Sequence, residues 1–235
     1  MARRVKTRLV SFLIIFDCDG VLVDSELLEH GVDAELLGPL GYAASAQELL
    51  QRFVGIARTD MYEVVFSELG CEMPRGLLEE REKLVWERCR SDLKTVVGVE
   101  AALEALRQQP KCVASSSIPG KLQLKLGSTG LARHFAPHIF STALVAHGKP
   151  APDIYLHAAQ VVGHPAERCI VVEDSRHGIA GAKAADMRTI GFAGGGHATP
   201  SLVAELRSAG ATIVIEQRDD LPKAIHDLSG VSNGR

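Results

Sequence analysis

The chain has 235 residues, of which 46% are hydrophobic and 23% are charged, and its formal net charge is −3. This length exceeds that of one average domain, so we expect one large domain or two unequal ones. The small net charge gives no reason to expect nucleic acid or an anionic membrane surface as a partner. No apolar stretch approaches the roughly 18 residues that span a bilayer, so we expect no membrane association.

The cysteines and the start of the chain indicate a reduced, cytoplasmic setting. The five cysteines lie far apart and form no Cys-x-x-Cys pair, which argues against a disulfide framework or a zinc site. None is followed by Arg at the spacing of the cysteine phosphatases, so Cys18 is interpreted as a spectator. The basic residues 1–8 precede a run that Ser11 interrupts and that has no cleavage site, so they predict a frayed terminus rather than a signal peptide.

Near the start of the chain, a short apolar strand ends in two carboxylates. Residues 13–16 are all apolar, and Asp17 and Asp19 follow with one residue between them. Residues i and i+2 of a strand point to the same side, so these carboxylates could share one site. Gly20 then permits a sharp turn. Two adjacent carboxylates repel each other, so the pair favours a bound cation or a proton-transfer task over a solvated acidic turn.

The spacing of apolar and charged residues changes at two points in the rest of the chain. Residues 26–94 are rich in charged residues and Leu at helical spacing, as in the windows 46–53 and 77–89, and they predict an all-helical insertion. Beyond Gly98, helices and strands alternate, which predicts a parallel α/β sheet with right-handed crossovers. The predicted helices are 99–109, 119–130, 152–162, 175–186, 201–208 and 219–228, and the predicted strands are 111–115, 138–140, 169–174, 189–192 and 212–215.

Polar residues stand at several predicted strand ends. Ser115, Ser116 and Ser117 follow one strand, Lys149 lies in the loop after another, and the acidic pair 173–174 ends a third. Each of these features also has an ordinary structural explanation when it is considered alone. Serines after a strand commonly form turns, a lysine in a loop is commonly exposed, and an acidic pair before a helix commonly caps it. In an open parallel sheet, however, ligands bind at the carboxyl ends of the strands, so together these residues indicate one site.

These motifs resemble those of the haloacid dehalogenase (HAD) superfamily, and most closely the β-phosphoglucomutase-like subfamily. The matching stretches are 16–25 with Asp-Cys-Asp-Gly, Ser115, 148–155 with Gly-Lys-Pro-Ala-Pro-Asp, and 172–179 with Val-Glu-Asp-Ser. The resemblance spans nearly the whole chain. It implies a Rossmann-like α/β core of residues 1–26 and 96–235, with an α-helical cap domain of residues 27–95 inserted between the first and second motifs.

The resemblance also implies roles for the motif residues. Asp17 would be the nucleophile that forms an aspartyl-phosphate, and Asp19 the acid and base. Ser115 and Lys149 would bind the phosphoryl group, with Gly20 and Ser116 as further substrate-binding candidates. Mg²⁺ would be held by Asp17, Asp174 and the backbone carbonyl of Asp19, and by Glu173 either directly or through water.

The predicted cap leaves the substrate and the reaction type open. Segment 53–58 resembles a cap loop in which Arg58 would contact a second anionic group on the substrate, although a surface Arg at a helix start explains it equally well. β-Phosphoglucomutase itself has a cap His twelve residues after its nucleophile, where this chain has Glu29, with His30 next. A phosphatase for a small sugar phosphate or sugar-acid phosphate is therefore favoured over a phosphomutase.

Three other functions are less consistent with these residues. Dehalogenases proper lack the second Asp, which is present here as Asp19. Phosphonate hydrolysis would require a Lys in the cap, and residues 26–82 contain no Lys. A catalytically inactive binding protein on the same fold would be expected to have lost one of the motif residues, and all are present. The oligomeric state has no sequence signal, and we take a monomer as the default.

Overall fold

The computed structural model describes residues 12–53, 56–196 and 198–230. The basic start of the chain, residues 1–8, lies outside the described residues. No helix within the described ranges is long and apolar enough to cross a membrane.

A six-stranded parallel sheet forms the centre of the described structure, with the strand order β3-β2-β1-β4-β5-β6. Ile15 of β1 pairs with Cys112 of β2 on one side and with Val171 of β4 on the other. The first strand of the chain is therefore central, as its unbroken apolar sequence requires of a strand that is covered on both faces. The strands are β1 Leu13–Phe16, β2 Lys111–Ser115, β3 Ile139–Ser141, β4 Cys169–Glu173, β5 Arg188–Phe192 and β6 Ile213–Ile215.

Helices cover both faces of this sheet. Ile14 and Phe16 of β1 pack in a hydrophobic cluster with helices α5, α6 and α10, whereas Leu13 and Ile15 pack in a second cluster with α7 and α8. Alternation along the strand thus separates the two faces. The helices are α1 Ser25–Leu37, α2 Ala46–Arg52, α3 Arg58–Leu69, α4 Leu77–Ser91, α5 Val99–Ala105, α6 Pro119–Ser128, α7 Asp153–Val162, α8 Arg176–Ala184, α9 Leu202–Ala209 and α10 Leu221–Ser229.

The predicted α/β core with a helical insertion is confirmed. Helices α1 to α4 lie between β1 and β2 in the chain, and they have a hydrophobic cluster of their own that includes Leu37, Leu49, Tyr62 and Phe66. We use the word cap for α1 to α4. The exact bounds of the cap domain, 27–95, stay a prediction.

The two connections between the core and the cap run side by side. The amide of Asp24 donates to the carbonyl of Lys94 at 3.0 Å, and Val23 forms an antiparallel bridge with Thr95. One residue on, the amide of Val96 donates to the carbonyl of Leu22 at 3.0 Å. The chain therefore leaves the sheet after β1 and returns at nearly the same point.

Candidate active site

A cavity of about 820 Å³ lies at the carboxyl ends of the central strands, between the core and the cap. Six of the sequence-predicted site residues line it: Asp17, Asp19, Ser116, Lys149, Glu173 and Asp174. The sheet order explains the convergence, because β1 supplies the first two carboxylates and its neighbours β2 and β4 supply the serines and the acidic pair.

Asp17 stands directly after β1 and is only 7% exposed. Its amide donates to the carbonyl of Val172 on β4 at 2.9 Å, which fixes its backbone at the edge of the sheet. Its carboxylate accepts a hydrogen bond from the ammonium group of Lys149. Burial raises the pKa of Asp17 well above its usual value, and the neighbouring carboxylates add to this rise against the opposing charge of Lys149.

Lys149 reaches the site from the loop that precedes α7. Its Nζ lies 2.6 Å from Oε1 of Glu173 as well as beside Asp17, so one ammonium group bridges two carboxylates. Burial alone would lower the pKa of Lys149, but these two carboxylates raise it well above its usual value. Lys149 is therefore positively charged and held in place on two sides.

Glu173, the last residue of β4, is 1% exposed and held by donors on both carboxylate oxygens. Oε1 accepts from Lys149 and, at 3.1 Å, from the hydroxyl of Tyr155. Oε2 accepts from the amide of Asp174 at 3.0 Å and from the amide and hydroxyl of Ser175 at 2.9 and 3.0 Å. Burial opposes its charge, but Lys149 and Ser175 together lower its pKa. Glu173 is thus an ionised carboxylate whose hydrogen bonds go to the protein.

Asp19 has a different set of partners from Asp17. Its carboxylate accepts from the hydroxyl of Ser25, from the hydroxyl of Ser117 at 2.8 Å and from Nζ of Lys125 at 2.5 Å. Burial opposes the charge of Asp19, but the ammonium group of Lys125 and the two hydroxyls lower its pKa. The two carboxylates of the first motif therefore face separate lysines.

Lys125 is a site residue that the sequence analysis missed. It is 2% exposed, and it lies on the buried face of α6 together with Leu122 and Leu126. The available signal was its position: a charged residue that helical spacing places on an apolar stripe needs a buried partner of opposite charge.

The remaining predicted site residues of the core are Ser115, Ser116 and Gly20, which lie next to the carboxylates of the first motif. The hydroxyl of Ser115 is fully buried and accepts from the amide of Ser117 at 3.0 Å, whereas Ser116 lines the cavity. Gly20 has a φ of 71°, and its amide donates to the carbonyl of Val23 at 2.8 Å. This left-handed conformation closes the turn after the first motif and favours glycine.

Arg58 lies in the cap and is not among the residues that line the cavity. Its Nη1 donates to Oδ2 of Asp33 at 2.5 Å and lies 3.0 Å from Nδ1 of His30. The same buried Asp33 accepts from Arg81 at 2.7 Å and from the hydroxyl of Tyr62 at 3.0 Å. Arg58 thus belongs to a charge network that joins α1, α3 and α4, and its contact with substrate stays a prediction. Residues 54 and 55 of the predicted cap loop lie outside the described residues.

Other cap residues do line the cavity. Glu29 of α1 and Glu82 of α4 lie on either side of Lys121, whose Nζ is 3.4 Å from Glu29 and 3.3 Å from Glu82. Lys121 belongs to the core helix α6, as does Lys125, which lies 3.7 Å from Glu29. A row of alternating charges therefore runs from Asp19 across to the cap.

The chemistry of the carboxylates fits a hard divalent cation such as Mg²⁺. Asp17 and Asp174 both line the cavity, and together with Asp19 and Glu173 they bring more negative charge to this point than the two lysines balance. In the part of the chain that the structure describes, no three His, Cys, Asp or Glu side chains come together as a metal-holding group. The predicted set needs such a group only if Glu173 binds the metal directly. With Glu173 acting through water, two carboxylates and the backbone carbonyl of Asp19 remain as ligands.

Comparisons with known proteins agree with the motifs and the fold. The model of a haloacid dehalogenase-like hydrolase family matches residues 13–186. The chain is 29% identical over 188 residues to the 6-phosphogluconate phosphatase of Escherichia coli, which covers 80% of this chain and 85% of that protein. It is 26% identical over 178 residues to the fructose-1-phosphate phosphatase of the same organism, covering 75% and 94%.

Two solved structures resemble the chain over nearly its whole length. A haloacid dehalogenase-like protein of unknown function from Agrobacterium tumefaciens is 44% identical, with a TM-score of 0.83 and coverage of 93% of this chain and 99% of that one. A HAD family hydrolase from Deinococcus radiodurans, solved with bound phosphate and sodium, is 31% identical, with a TM-score of 0.83 and coverage of 93% and 96%.

Proposed function

The chain belongs to the haloacid dehalogenase-like hydrolase family and is a phosphoric monoester hydrolase, and we propose that it is an Mg²⁺-dependent phosphatase acting through an aspartyl-phosphate. Its substrate would be a small phosphorylated metabolite, either a sugar phosphate or a sugar-acid phosphate. The motifs and the helical cap resemble those of β-phosphoglucomutase-like proteins. The relatives named above are a phosphatase of a sugar-acid phosphate and a phosphatase of a sugar phosphate.

The observation that carries this proposal is the separation of Asp17 and Asp19 into two environments. Asp17 lies at the end of β1 beside Lys149, where a phosphoryl group could be attacked and its charge neutralised. Asp19 is two residues on, and it faces Lys125 and two hydroxyls. Such a division suits one carboxylate that bonds to phosphorus and a second that moves protons.

The reaction has two half reactions. In the first, an oxygen of Asp17 bonds to phosphorus while the bond from phosphorus to the substrate oxygen breaks, and Asp19 gives that oxygen a proton. In the second, Asp19 takes a proton from water, the water oxygen bonds to phosphorus, and Asp17 is released with inorganic phosphate. Lys125 favours the carboxylate form of Asp19, which the second half reaction requires. The first requires the protonated form, so proton uptake at Asp19 accompanies substrate binding.

Other residues bind or position the phosphoryl group in this scheme. Lys149 neutralises its charge, and Ser115 and Ser116 at the end of β2 donate hydrogen bonds to it. The hydroxyl of Ser117 donates to Asp19 instead. Mg²⁺ would be held by Asp17, Asp174 and the carbonyl of Asp19, where it would supply positive charge to the phosphoryl oxygens. Because both oxygens of Glu173 accept hydrogen bonds from the protein, we assign Glu173 the positioning of Lys149 rather than direct metal binding.

The nucleophile is tested with Asp17→Asn. We expect this variant to lose turnover of p-nitrophenyl phosphate and to keep the far-UV circular dichroism spectrum of the wild type, because the amide preserves shape and removes the attacking charge. Asp60→Asn, the same change at an exposed cap residue, should retain full activity. Wild-type turnover by Asp17→Asn would refute the assignment.

The metal requirement is tested by removal and return. Treatment with EDTA followed by desalting should abolish hydrolysis, and added Mg²⁺ should restore it. Full activity in a sample shown by elemental analysis to contain no divalent metal would contradict the proposed requirement.

A phosphomutase of the β-phosphoglucomutase type is the second candidate, because that chemistry uses the same four motifs. The two candidates differ in product, so both free phosphate and isomerised sugar phosphate should be measured on a panel of phosphorylated metabolites. Isomer formed without phosphate release would favour the mutase. The cytoplasmic location and the monomeric state stay predictions, the former based on five cysteines that are all unpaired.

A further inference from the structure

We propose that Glu29, Lys121 and Glu82 recognise hydroxyl groups of the substrate, and that the substrate carries a neutral polyol rather than a second anionic group. The inference rests on the proposed function, because it assumes that the phosphoryl group lies between Asp17 and Lys149. It narrows the substrate to one of the two classes considered above.

The three side chains converge from three helices onto one wall of the candidate active site. Nζ of Lys121 lies 3.4 Å from Oε1 of Glu29 and 3.3 Å from Oε1 of Glu82. Glu29 comes from α1, Glu82 from α4 and Lys121 from α6, and all three line the cavity that also contains Asp17. A substrate attached to phosphorus would extend from the core toward this wall, since the cap covers that side.

One of these side chains, Glu29, is held in place by contacts outside the wall. Oε2 of Glu29 accepts from Nη2 of Arg81 at 2.9 Å. Burial would raise the pKa of Glu29, but Lys121, Lys125 and Arg81 lower it to about 2, so it is a carboxylate at neutral pH. The side chain of Lys121 is only 13% exposed, whereas that of Glu82 is 45% exposed. Glu82 is therefore the member of the wall that a ligand could displace or approach most readily.

This wall offers hydrogen-bond acceptors and a donor at neighbouring points. A hydroxyl group both donates and accepts, so one hydroxyl can donate to a carboxylate and accept from the ammonium group, and adjacent hydroxyls can use both carboxylates. Hydrogen bonds to ionised partners are stronger than those between neutral groups. A carboxylate or a second phosphate has acceptors only, so within the wall it would use Lys121 alone and face the like charges of Glu29 and Glu82.

The excess of negative charge in the cavity also favours a neutral polyol over a second anionic group. Besides the carboxylates around Asp17, the lining residues include the side chains of Glu26, Glu29, Glu82 and Glu205. Eight carboxylates line the cavity, against four Lys and Arg side chains. Lys121, Lys125 and Lys149 are each paired with carboxylates, whereas Arg176 is exposed at the start of α8, outside the wall. Arg58, the residue predicted to bind a second anion, is paired with Asp33 within the cap instead.

The test uses substrate pairs that differ only in CH₂OH against COO⁻. The pairs are glycerol 3-phosphate and 3-phosphoglycerate, erythritol 4-phosphate and 4-phosphoerythronate, and sorbitol 6-phosphate and 6-phosphogluconate. For the pair of best-fitting length, we expect kcat/KM to be at least about tenfold higher for the polyol phosphate. Glu82→Gln should reduce that ratio at least about threefold, because the amide still donates and accepts but no longer repels an anion. Glu80→Gln, on the same helix but outside the cavity lining, should leave the ratio unchanged.

p-Nitrophenyl phosphate tests the proposed function separately from the inference about the wall, since this substrate has neither hydroxyl groups nor a second anionic group. If it is not hydrolysed, the proposed function fails. If it is hydrolysed, three results would each overturn the inference about the wall: equal or greater kcat/KM for the acids, no activity on any polyol phosphate, or an unchanged ratio in Glu82→Gln.

Discussion

Replacement of Gly178 by alanine tests how strictly the site depends on the position of Glu173. A Cβ atom at residue 178 would lie 1.8 Å from Oε1 and 1.9 Å from Cδ of Glu173, far inside van der Waals contact. The carboxylate would have to leave its place between Lys149 and Ser175. Breaking a buried, hydrogen-bonded charge pair costs about 3–5 kcal/mol. Alanine is more favourable than glycine in a helix by about 1 kcal/mol, so we expect a net loss of about 2–4 kcal/mol.

Urea unfolding followed by circular dichroism measures this loss, and initial rates on p-nitrophenyl phosphate measure its effect on the site. We expect kcat to fall, because Lys149 would keep only one of the two carboxylates that hold it. Gly127→Ala is the matched control: Gly127 is also helical, but a Cβ there meets no atom within 4 Å, so this variant should gain about 1 kcal/mol and keep its activity. A Gly178→Ala enzyme with wild-type stability and kcat would refute the reasoning.

Two further predictions concern the charge network within the cap. Arg81→Met should lower the free energy of unfolding by about 3–5 kcal/mol, since it removes a buried partner of Asp33, whereas Arg88→Met on the exposed face of the same helix should change urea unfolding little. Burial and the nearby Arg58 lower the pKa of His30 to about 4. Between about pH 6.5 and pH 4, His30 therefore binds a proton in the unfolded chain but not in the folded protein. The free energy of unfolding should fall as the pH drops through this range. Thermal unfolding across this range should show a shallower decline in His30→Gln, and parallel slopes for the two proteins would contradict the assignment.

Local sequence patterns predicted the core well because each of its elements carries its own signal. The apolar run before Asp17 was predicted as a strand and forms β1, and the six core helices were predicted with ends that differ from the structure by a few residues. The rule that parallel strands deliver ligands at their carboxyl ends then predicted which polar residues would meet. Six predicted residues line one cavity for that reason.

The cap could be predicted as helical but not in its contacts. The position of Arg58 near a helix start was visible, but its partner Asp33 precedes it by 25 residues, and only the packing of α1 against α3 brings them together. Lys125 was missed for a related reason, since its partner Asp19 lies 106 positions away. Pairings of this kind depend on how helices pack, which propensity and spacing do not determine.

The two connections between the core and the cap lie side by side, so the cap is an insertion that is separable from the sheet. Asp24 and Lys94 are joined by a hydrogen bond of 3.0 Å, so the backbone enters and leaves the cap through one narrow neck. The entropic cost of closing a loop grows only slowly with its length. Insertions of very different size and shape could therefore replace these helices without changing the register of the sheet. Evolution can exchange the part that selects the substrate and preserve the part that cleaves the phosphate ester.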